Sequence, residues 1–321
     1  MSMEFYATLG PACASAEVLG RMLDAGMTGA RLNLSHMGLE GASEYLEALS
    51  MAGRSRGLKP GLLIDTQGPE LRTGALERPM ELREGESLKL GPGGVPIPLS
   101  LLELLEPGME LLIDDARLSL EVTGRARARV LRGGLLGSRK GLSVEGLESD
   151  LEPLTDADRD DLKCASSYGV TAVMQSFTRS AGDIISVREA LHGQDIRVFA
   201  KVESRRGVEA LPELLDVSDM IVIARGDLGG AFGLYELPKL QKDISRQCRA
   251  AGTPFMVVTQ LLYTMLDEPV PTRAEVSDIF NSVLDGASAL MLTNETAAGK
   301  YPVEAMLALR SAAAAAENYI I

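Results

Sequence analysis

The sequence predicts an α/β protein, a (β/α)8 TIM barrel with a small β domain inserted after its third strand. Three observations predict it. Short apolar runs alternate with longer amphipathic ones along most of the 321 residues, the pattern of strands and helices that share a parallel sheet. Eight such units occur without a dinucleotide fingerprint, which favours a closed barrel over an open doubly wound sheet. Between residues 74 and 150 the alternation stops, and short strand-like runs separated by Gly and Pro take its place.

The strand candidates are residues 5–9, 30–34, 62–65, 172–176, 197–202, 220–224, 255–259 and 289–292, all short and mainly apolar. Helices are expected between them. Residues 16–25 carry apolar side chains at helical spacing and stop before Gly26, and 235–251 stop before Gly252, a helix-ending signal. Residues 155–168, 181–191, 208–215 and 303–319 complete the series, the last with the helix-favouring alanine run 312–316. Thr272-Arg-Ala-Glu275 reads as a capping box. In the interval, the runs 87–90, 110–113, 117–122 and 127–131 read as strands, with turns at residues 92–98 and at Arg132-Gly-Gly. The expected division is therefore a barrel of residues 1–73 and 151–321, with an insert of residues 74–150 over the C-terminal ends of its strands.

Composition removes several function classes. Lys and Arg total 32 against 45 Asp and Glu, a formal net charge of -13. The overall field repels polyanions, so nucleic acid is not an expected partner. With no Trp and 4% aromatic residues, material for base-stacking platforms is scarce. No apolar run approaches the roughly 20 residues of a membrane span, and no basic start with an apolar stretch marks a secretory signal; a cytoplasmic location without membrane contact is the expectation. Cys13, Cys164 and Cys248 lack metal-ligand spacing and read as reduced thiols in the core. An anionic substrate would require locally gathered cations or recruited metal ions.

That requirement is met at the strand ends, where polar residues finish runs that should be apolar: Arg31, Asn33, Ser35 and His36; Asp65 and Thr66; Lys201 and Glu203; Arg225, Gly226 and Asp227; Thr259 and Gln260. Residues two apart on a strand face the same side, so Lys201 and Glu203 point into one site. A structural ion pair would explain that pair alone, but five polar strand ends together favour catalysis. Glu203 and Asp227 offer two hard oxygen ligands, suited to Mg²⁺ or Mn²⁺ completed by water and phosphate, with Arg31 and Lys201 binding that phosphate. Gly226 permits close backbone approach, and the amides of residues 226–228 would receive a carboxylate if a helix starts there. Asn33, Ser35, Asp65 and Thr66 form an oxygen-rich cluster with a single carboxylate, better matched to a monovalent cation.

Taken together, Arg31-Leu-Asn-Leu-Ser-His36, Ile64-Asp-Thr-Gln-Gly-Pro-Glu-Leu-Arg-Thr-Gly74, Ala200-Lys-Val-Glu203, Ala224-Arg-Gly-Asp-Leu-Gly229 and Pro271-Thr-Arg-Ala-Glu-Val-Ser-Asp278 resemble the pyruvate kinase family. In the insert, Ile113-Asp-Asp115 and Gly137-Ser-Arg-Lys-Gly141 resemble that family's mobile β-barrel lid domain. The resemblance implies phosphoryl transfer from phosphoenolpyruvate to ADP, yielding pyruvate and ATP, with Mg²⁺ and K⁺ as cofactors. It implies that Lys201 stabilises the transferring group, Arg31 holds it, and Glu203 and Asp227 bind Mg²⁺. It further implies that Thr259 and the backbone at Gly226 and Asp227 contact substrate, with Thr259 helping to deliver a proton. Asn33, Ser35, Asp65 and Thr66 would hold K⁺, while Arg31, His36, Asp115 and Lys140 would meet the nucleotide. A homo-oligomer, such as a dimer paired through barrel surfaces, is implied as well.

There are departures. The family carries a further domain after the barrel that usually holds a sugar-phosphate regulatory site, whereas this sequence runs to Ile321; the expectation is a protein not regulated in that manner, or a divergent relative. Gln67 stands where Lys is usual, Ala116 where Gly is, Ser204 where Asn is, and Thr293-Asn294 where Ser-Gly is. Gln67 removes a positive charge near the reaction centre and so motivates one alternative, other enolpyruvate or oxo-acid chemistry at the same metal and lysine site; a noncatalytic relative that binds phosphoenolpyruvate or nucleotide is a separate alternative.

Overall fold

A computed structural model describes residues 3–114, 117–144 and 151–320. The chain forms two compact units, Met1–Gly68 with Glu152–Ile321, and Pro69–Leu151. In the first, eight parallel strands close into a barrel in sequential order: β1 (Glu4–Thr8), β2 (Gly29–Asn33), β3 (Gly61–Asp65), β4 (Ala172–Gln175), β5 (Arg197–Val202), β6 (Met220–Ala224), β7 (Phe255–Val258) and β8 (Ala289–Leu292). Each lies within one residue of its expected ends.

Side chains alternate along each strand, so every strand has an inward and an outward row. Tyr6, Leu63, Met174, Phe199, Val222, Met256 and Met291 fill the barrel interior. Their neighbours, among them Phe5, Ile64, Val173, Val198, Ile221 and Leu290, join a larger core with Leu19, Leu162, Val187, Ile244 and Leu309 of the surrounding helices. That buried double layer is what a parallel sheet with no solvent-facing side demands.

Most expected helices are present, and the differences have local causes. Helix Ala16–Asp24 is capped by the Ser15 side chain, which accepts from the Val18 N–H. The Thr272 and Glu275 side chains form the capping box of helix Arg273–Leu284. The single helix expected over 208–215 is two, Arg205–Glu209 and Leu211–Val217, because Pro212 is tolerated only in a first turn. Residues 155–168 form helix Asp156–Cys164 and then tighten into a 3₁₀ turn, Ala165–Tyr168. Helices Ser43–Arg54 and Arg225–Phe232 were not expected; their Gly and Ser residues lower helix propensity, and tertiary packing overrides it. Among the described residues no helix is long and apolar enough to cross a membrane.

The second unit contains a five-stranded antiparallel sheet, ordered Leu142–Val144, Glu110–Ile113, Leu118–Gly124, Arg127–Arg132, Ser87–Lys89, and a two-stranded sheet of Met80–Leu82 with Gly134–Leu136. Leu82 and Leu136 share one core with Leu111, Leu120 and Val130. The described strands of the insert thus form two sheets around one core. The chain crosses between them at Gly133-Gly134: a Cβ on Gly133 would lie 2.4 Å from the Leu82 carbonyl oxygen, and Gly134 has φ 153°. A short helix, Leu99–Leu102, occupies an interval where none was expected.

Near the N-terminal ends of β1 and β5, the Tyr6 hydroxyl donates to Glu4 Oε2 at 2.5 Å, and Arg197 donates to Glu4 Oε1 at 2.8 Å. Gly29 makes room for the Tyr6 ring, since a Cβ there would lie 2.5 Å from Tyr6 Cε1. Gly29→Ala is expected to destabilise the fold by about 1–3 kcal/mol through overpacking, and Tyr6→Leu in the same chain should relieve part of it. A double-mutant cycle by denaturant unfolding measures this; strict additivity would contradict the contact.

Candidate active site

The inward rows change from apolar to polar at the C-terminal ends of the strands. Tyr6 is followed two residues on by Thr8, Gly29 by Arg31 and Asn33, Leu63 by Asp65, Met174 by Ser176, and Phe199 by Lys201 and Glu203. Parallel register sets these residues side by side: Thr8 is opposite Arg31, and Asn33 opposite Asp65. Five neighbouring strands, β1 to β5, therefore deliver one polar cluster into the mouth of the barrel.

Asp65 is its centre. It is 1% exposed, and burying an unpaired carboxylate there would be prohibitive. Arg31 Nε donates to Asp65 Oδ2 at 3.1 Å, and Arg31 Nη2 contacts the same oxygen. Lys201 Nζ lies 3.3 Å from Asp65 Oδ1, 3.1 Å from Ser176 Oγ and 3.3 Å from Glu203 Oε2. Ser176 Oγ stands 3.0 Å from Asp65 Oδ1, and Arg31 Nη1 donates to Thr8 Oγ1 at 3.3 Å.

These contacts set the protonation states. Burial alone would push the Asp65 carboxyl upward, but Lys201 and Arg31 reverse that and hold it below the usual carboxylate range. Burial alone would push Lys201 downward, yet Asp65 and Glu203 raise it above the usual lysine range. At neutral pH Lys201 is a cation and Asp65 an anion.

Glu203 Oε1 accepts from the Phe177 N–H at 2.6 Å. Among the described residues Glu203 Oε2 is buried and accepts no hydrogen bond, and the Lys201 ammonium lies 3.3 Å from it. Asp227 lies in the first turn of helix Arg225–Phe232, and its charge acts on Lys201. Among the described residues no three His, Cys, Asp or Glu side chains cluster as a metal cage, so an ion held by Glu203 and Asp227 needs further oxygens from elsewhere.

Thr259 and Gln260 both adopt positive φ, 70° and 53°, and a β-branched residue in that region is an outlier worth about 1–3 kcal/mol of strain. Its restraints are visible. Thr259 Oγ1 accepts from the Gly226 N–H at 2.9 Å, while Arg225 donates to the Thr259 carbonyl at 2.7 Å and to Asp278 Oδ2 at 2.6 Å.

Arg31, Asp65, Lys201 and Glu203 thus share one contact network, and Gly226 meets Thr259. Asn33 Oδ1 accepts from the Ser35 N–H at 3.1 Å; Thr66 Oγ1 lies 3.3 Å from the Met174 carbonyl, inside the strand layer. His36 is exposed in the loop after β2. Lys140 belongs to the other unit, where Nζ pairs with Asp114 at 2.9 Å; Asp115 lies outside the described residues. Thr8, Ser176 and Asp278 have no assigned role in the sequence reading, and Arg225 figures there only among the polar strand ends. Ser176 carried a usable signal, a polar residue two positions beyond the inward Met174. Ser204, where Asn is usual, caps helix Arg205–Glu209 by accepting from the Gly207 N–H, a task either residue performs.

The family model described as pyruvate kinase, barrel domain, matches residues 2–306. The chain is 41% identical over 314 residues to a pyruvate kinase of Aeropyrum pernix, covering 95% of this chain and 68% of that protein. It is 37% identical over 329 residues to a pyruvate kinase of Geobacillus stearothermophilus, covering 97% and 56%, and 38% identical over 317 residues to one of Agrobacterium vitis, covering 94% and 66%. The chain spans from a little over half to about two thirds of the length of these relatives.

Asp65→Asn would leave Arg31 and Lys201 facing each other in a buried site. It is expected to cost about 3–5 kcal/mol at neutral pH, measured by denaturant unfolding. Because the folded pKa of Asp65 is depressed, its contribution is present above the unfolded carboxyl value of about 3.9 and is lost as pH falls through the folded one. The difference between the two proteins should narrow only in that acid range. Equal stabilities at neutral pH would show that Asp65 does not hold the cluster.

Proposed function

The chain belongs to the pyruvate kinase family, and we propose on that premise that it transfers the phosphoryl group of phosphoenolpyruvate to ADP. In this reaction the phosphorus–oxygen bond of the enol phosphate breaks, a bond to the terminal phosphate oxygen of ADP forms, and the enolate left behind takes a proton at its methylene carbon to become pyruvate. The observation that carries the reading is the meeting of Lys201, Arg31 and Glu203 around Asp65 at the mouth of the barrel.

Phosphoryl transfer asks mainly for positioning and for charge opposite the equatorial oxygens. Arg31 and Lys201 are assigned to that task, Arg31 to hold the group and Lys201 to stabilise it as charge develops. Lys201 suits this because its raised pKa keeps the ammonium charged; for the same reason it is a poor proton donor. The proton is assigned instead to Thr259, acting through water, with the amides near Gly226 and Asp227 receiving the substrate carboxylate. A Cβ at Gly226 would meet only Thr259 atoms at 3.8 Å or more, so nothing in the protein's own packing requires glycine there, and room for a ligand is a fitting reason.

Glu203 and Asp227 fit a divalent cation, Mg²⁺ or Mn²⁺, in that Glu203 Oε2 is a buried oxygen that accepts no hydrogen bond among the described residues. When bound, such an ion supplies charge neutralisation at the phosphoryl oxygens. Asn33, Ser35, Asp65 and Thr66 are assigned to K⁺, and the pairing of Asn33 with Asp65 across β2 and β3 supports their common role. Arg31, His36, Asp115 and Lys140 are assigned to the nucleotide. Homo-oligomer formation and a cytoplasmic location belong to the same reading.

Purified protein given phosphoenolpyruvate, Mg²⁺ and K⁺ is expected to form pyruvate only when ADP is present. Metal-dependent turnover without ADP would overturn the reading in favour of other enolate chemistry. Ligand-induced thermal shifts without turnover would overturn it in favour of a binding protein.

A further inference from the structure

Helix Asp156–Cys164 begins with a capping box in which Thr155 and Asp158 satisfy each other's backbone N–H groups. Starting a helix asks no more of Asp158. Its carboxylate nevertheless accepts two further bonds from a distant segment: Gln67 N–H to Oδ1 at 2.8 Å and Gly68 N–H to Oδ2 at 3.1 Å. Asp158 is 1% exposed, so these bonds are made out of water. Three residues on, on the same helical face, Asp161 Oδ1 accepts from the Leu39 N–H at 3.0 Å.

The two segments so held are the continuations of β2 and β3. Gln67 and Gly68 directly follow Asp65 and Thr66, and Leu39 follows Asn33, Ser35 and His36 in one short loop. Gly68 has φ 62°, and a Cβ on it would lie 2.9 Å from the Ser176 carbonyl oxygen, so the loop has little freedom to take another path while Asp158 holds it. Gln175 adds a tie from the other side, with Oε1 3.2 Å from Thr66 Oγ1 and Nε2 donating to the Pro153 carbonyl at 2.6 Å.

We infer that Asp158 and Asp161 are positioning residues for phosphoryl transfer, a pair of carboxylates on one helix that set the two loops carrying the phosphoryl-side and nucleotide-side groups. The inference rests on the functional reading above. Its two halves act differently. Asp158 fixes the exit of β3, and with it Asp65, which orients Arg31 and Lys201; misplacement there affects the chemical step. Asp161 fixes the loop of His36, so its loss falls on nucleotide binding.

The test uses Asp158→Asn and Asp161→Asn in the full chain, with steady-state kinetics and amide hydrogen exchange. Asp158→Asn is expected to lower kcat by about tenfold or more with a smaller change in KM for ADP, and to speed exchange at residues 66–68. Asp161→Asn is expected to raise KM for ADP by more than it lowers kcat, and to speed exchange at residues 37–40. A structural role alone would lower activity with the folded fraction and leave both KM values in place. That result, or unchanged exchange at both loops, overturns the inference. If Asp158→Asn does not fold, Asp161→Asn decides by the same readouts. If the wild-type chain lacks ADP-dependent turnover, the functional reading fails, and the exchange contrast alone decides whether the two carboxylates set the loops.

Discussion

The Asp65 carboxylate, held between the Arg31 guanidinium and the Lys201 ammonium, is the constraint on which the site depends. Two cations pressed together in a buried barrel mouth would repel each other and resist burial. One anion between them makes their proximity tolerable and leaves both oriented. Every strand from β1 to β5 contributes to that arrangement: Thr8 and Asp65 flank Arg31, while Asp65, Ser176 and Glu203 surround Lys201. Such a cluster is a poor source of net stability, and its value lies in presenting positive charge of fixed geometry within a chain whose net charge is -13.

The fold supplies this by arithmetic more than by special structure. A two-residue side-chain period carries the inward apolar row of each strand into the mouth without a change of register. Packing below the mouth keeps that register: Tyr6, Leu63, Phe199 and Val222 leave no room to slip, and a slip by one residue would turn Lys201 and Glu203 outward toward the helices. At β7 the device is different. Thr259 is held in a strained backbone conformation by Arg225, itself anchored on Asp278, so the end of that strand owes its shape to side chains from two other segments.

The barrel strands were legible because a buried parallel strand writes itself as a short apolar run, and the site was legible where a charge interrupts such a run. Lys201, Glu203, Arg31 and Asp65 stood out for that reason. Thr8 did not, since a hydroxyl at a strand end is unremarkable until the neighbouring strand sets a guanidinium beside it, and Ser176 was marked only by its two-residue spacing from the inward Met174. Asp158 carried no signal of its role, because its partner Gly68 lies 90 residues away in sequence. Arg225 and Asp278 are separated by 53 residues, and only the closure of the barrel joins them. Helix Ser43–Arg54 escaped because Ser and Gly dilute its pattern, and the division of the insert's strands between two sheets escaped because Gly133-Gly134 reads equally as a turn or as a corner.

Lys201 is assigned the task of placing positive charge where the phosphoryl group acquires negative charge, more in the transition state than in the ground state. The most direct measurement is single-turnover phosphoryl transfer by Lys201→Met beside direct binding of phosphoenolpyruvate to the same variant. The rate is expected to fall by about a hundredfold or more with binding largely retained. An unchanged rate, or a loss of binding as large as the loss of rate, would contradict it.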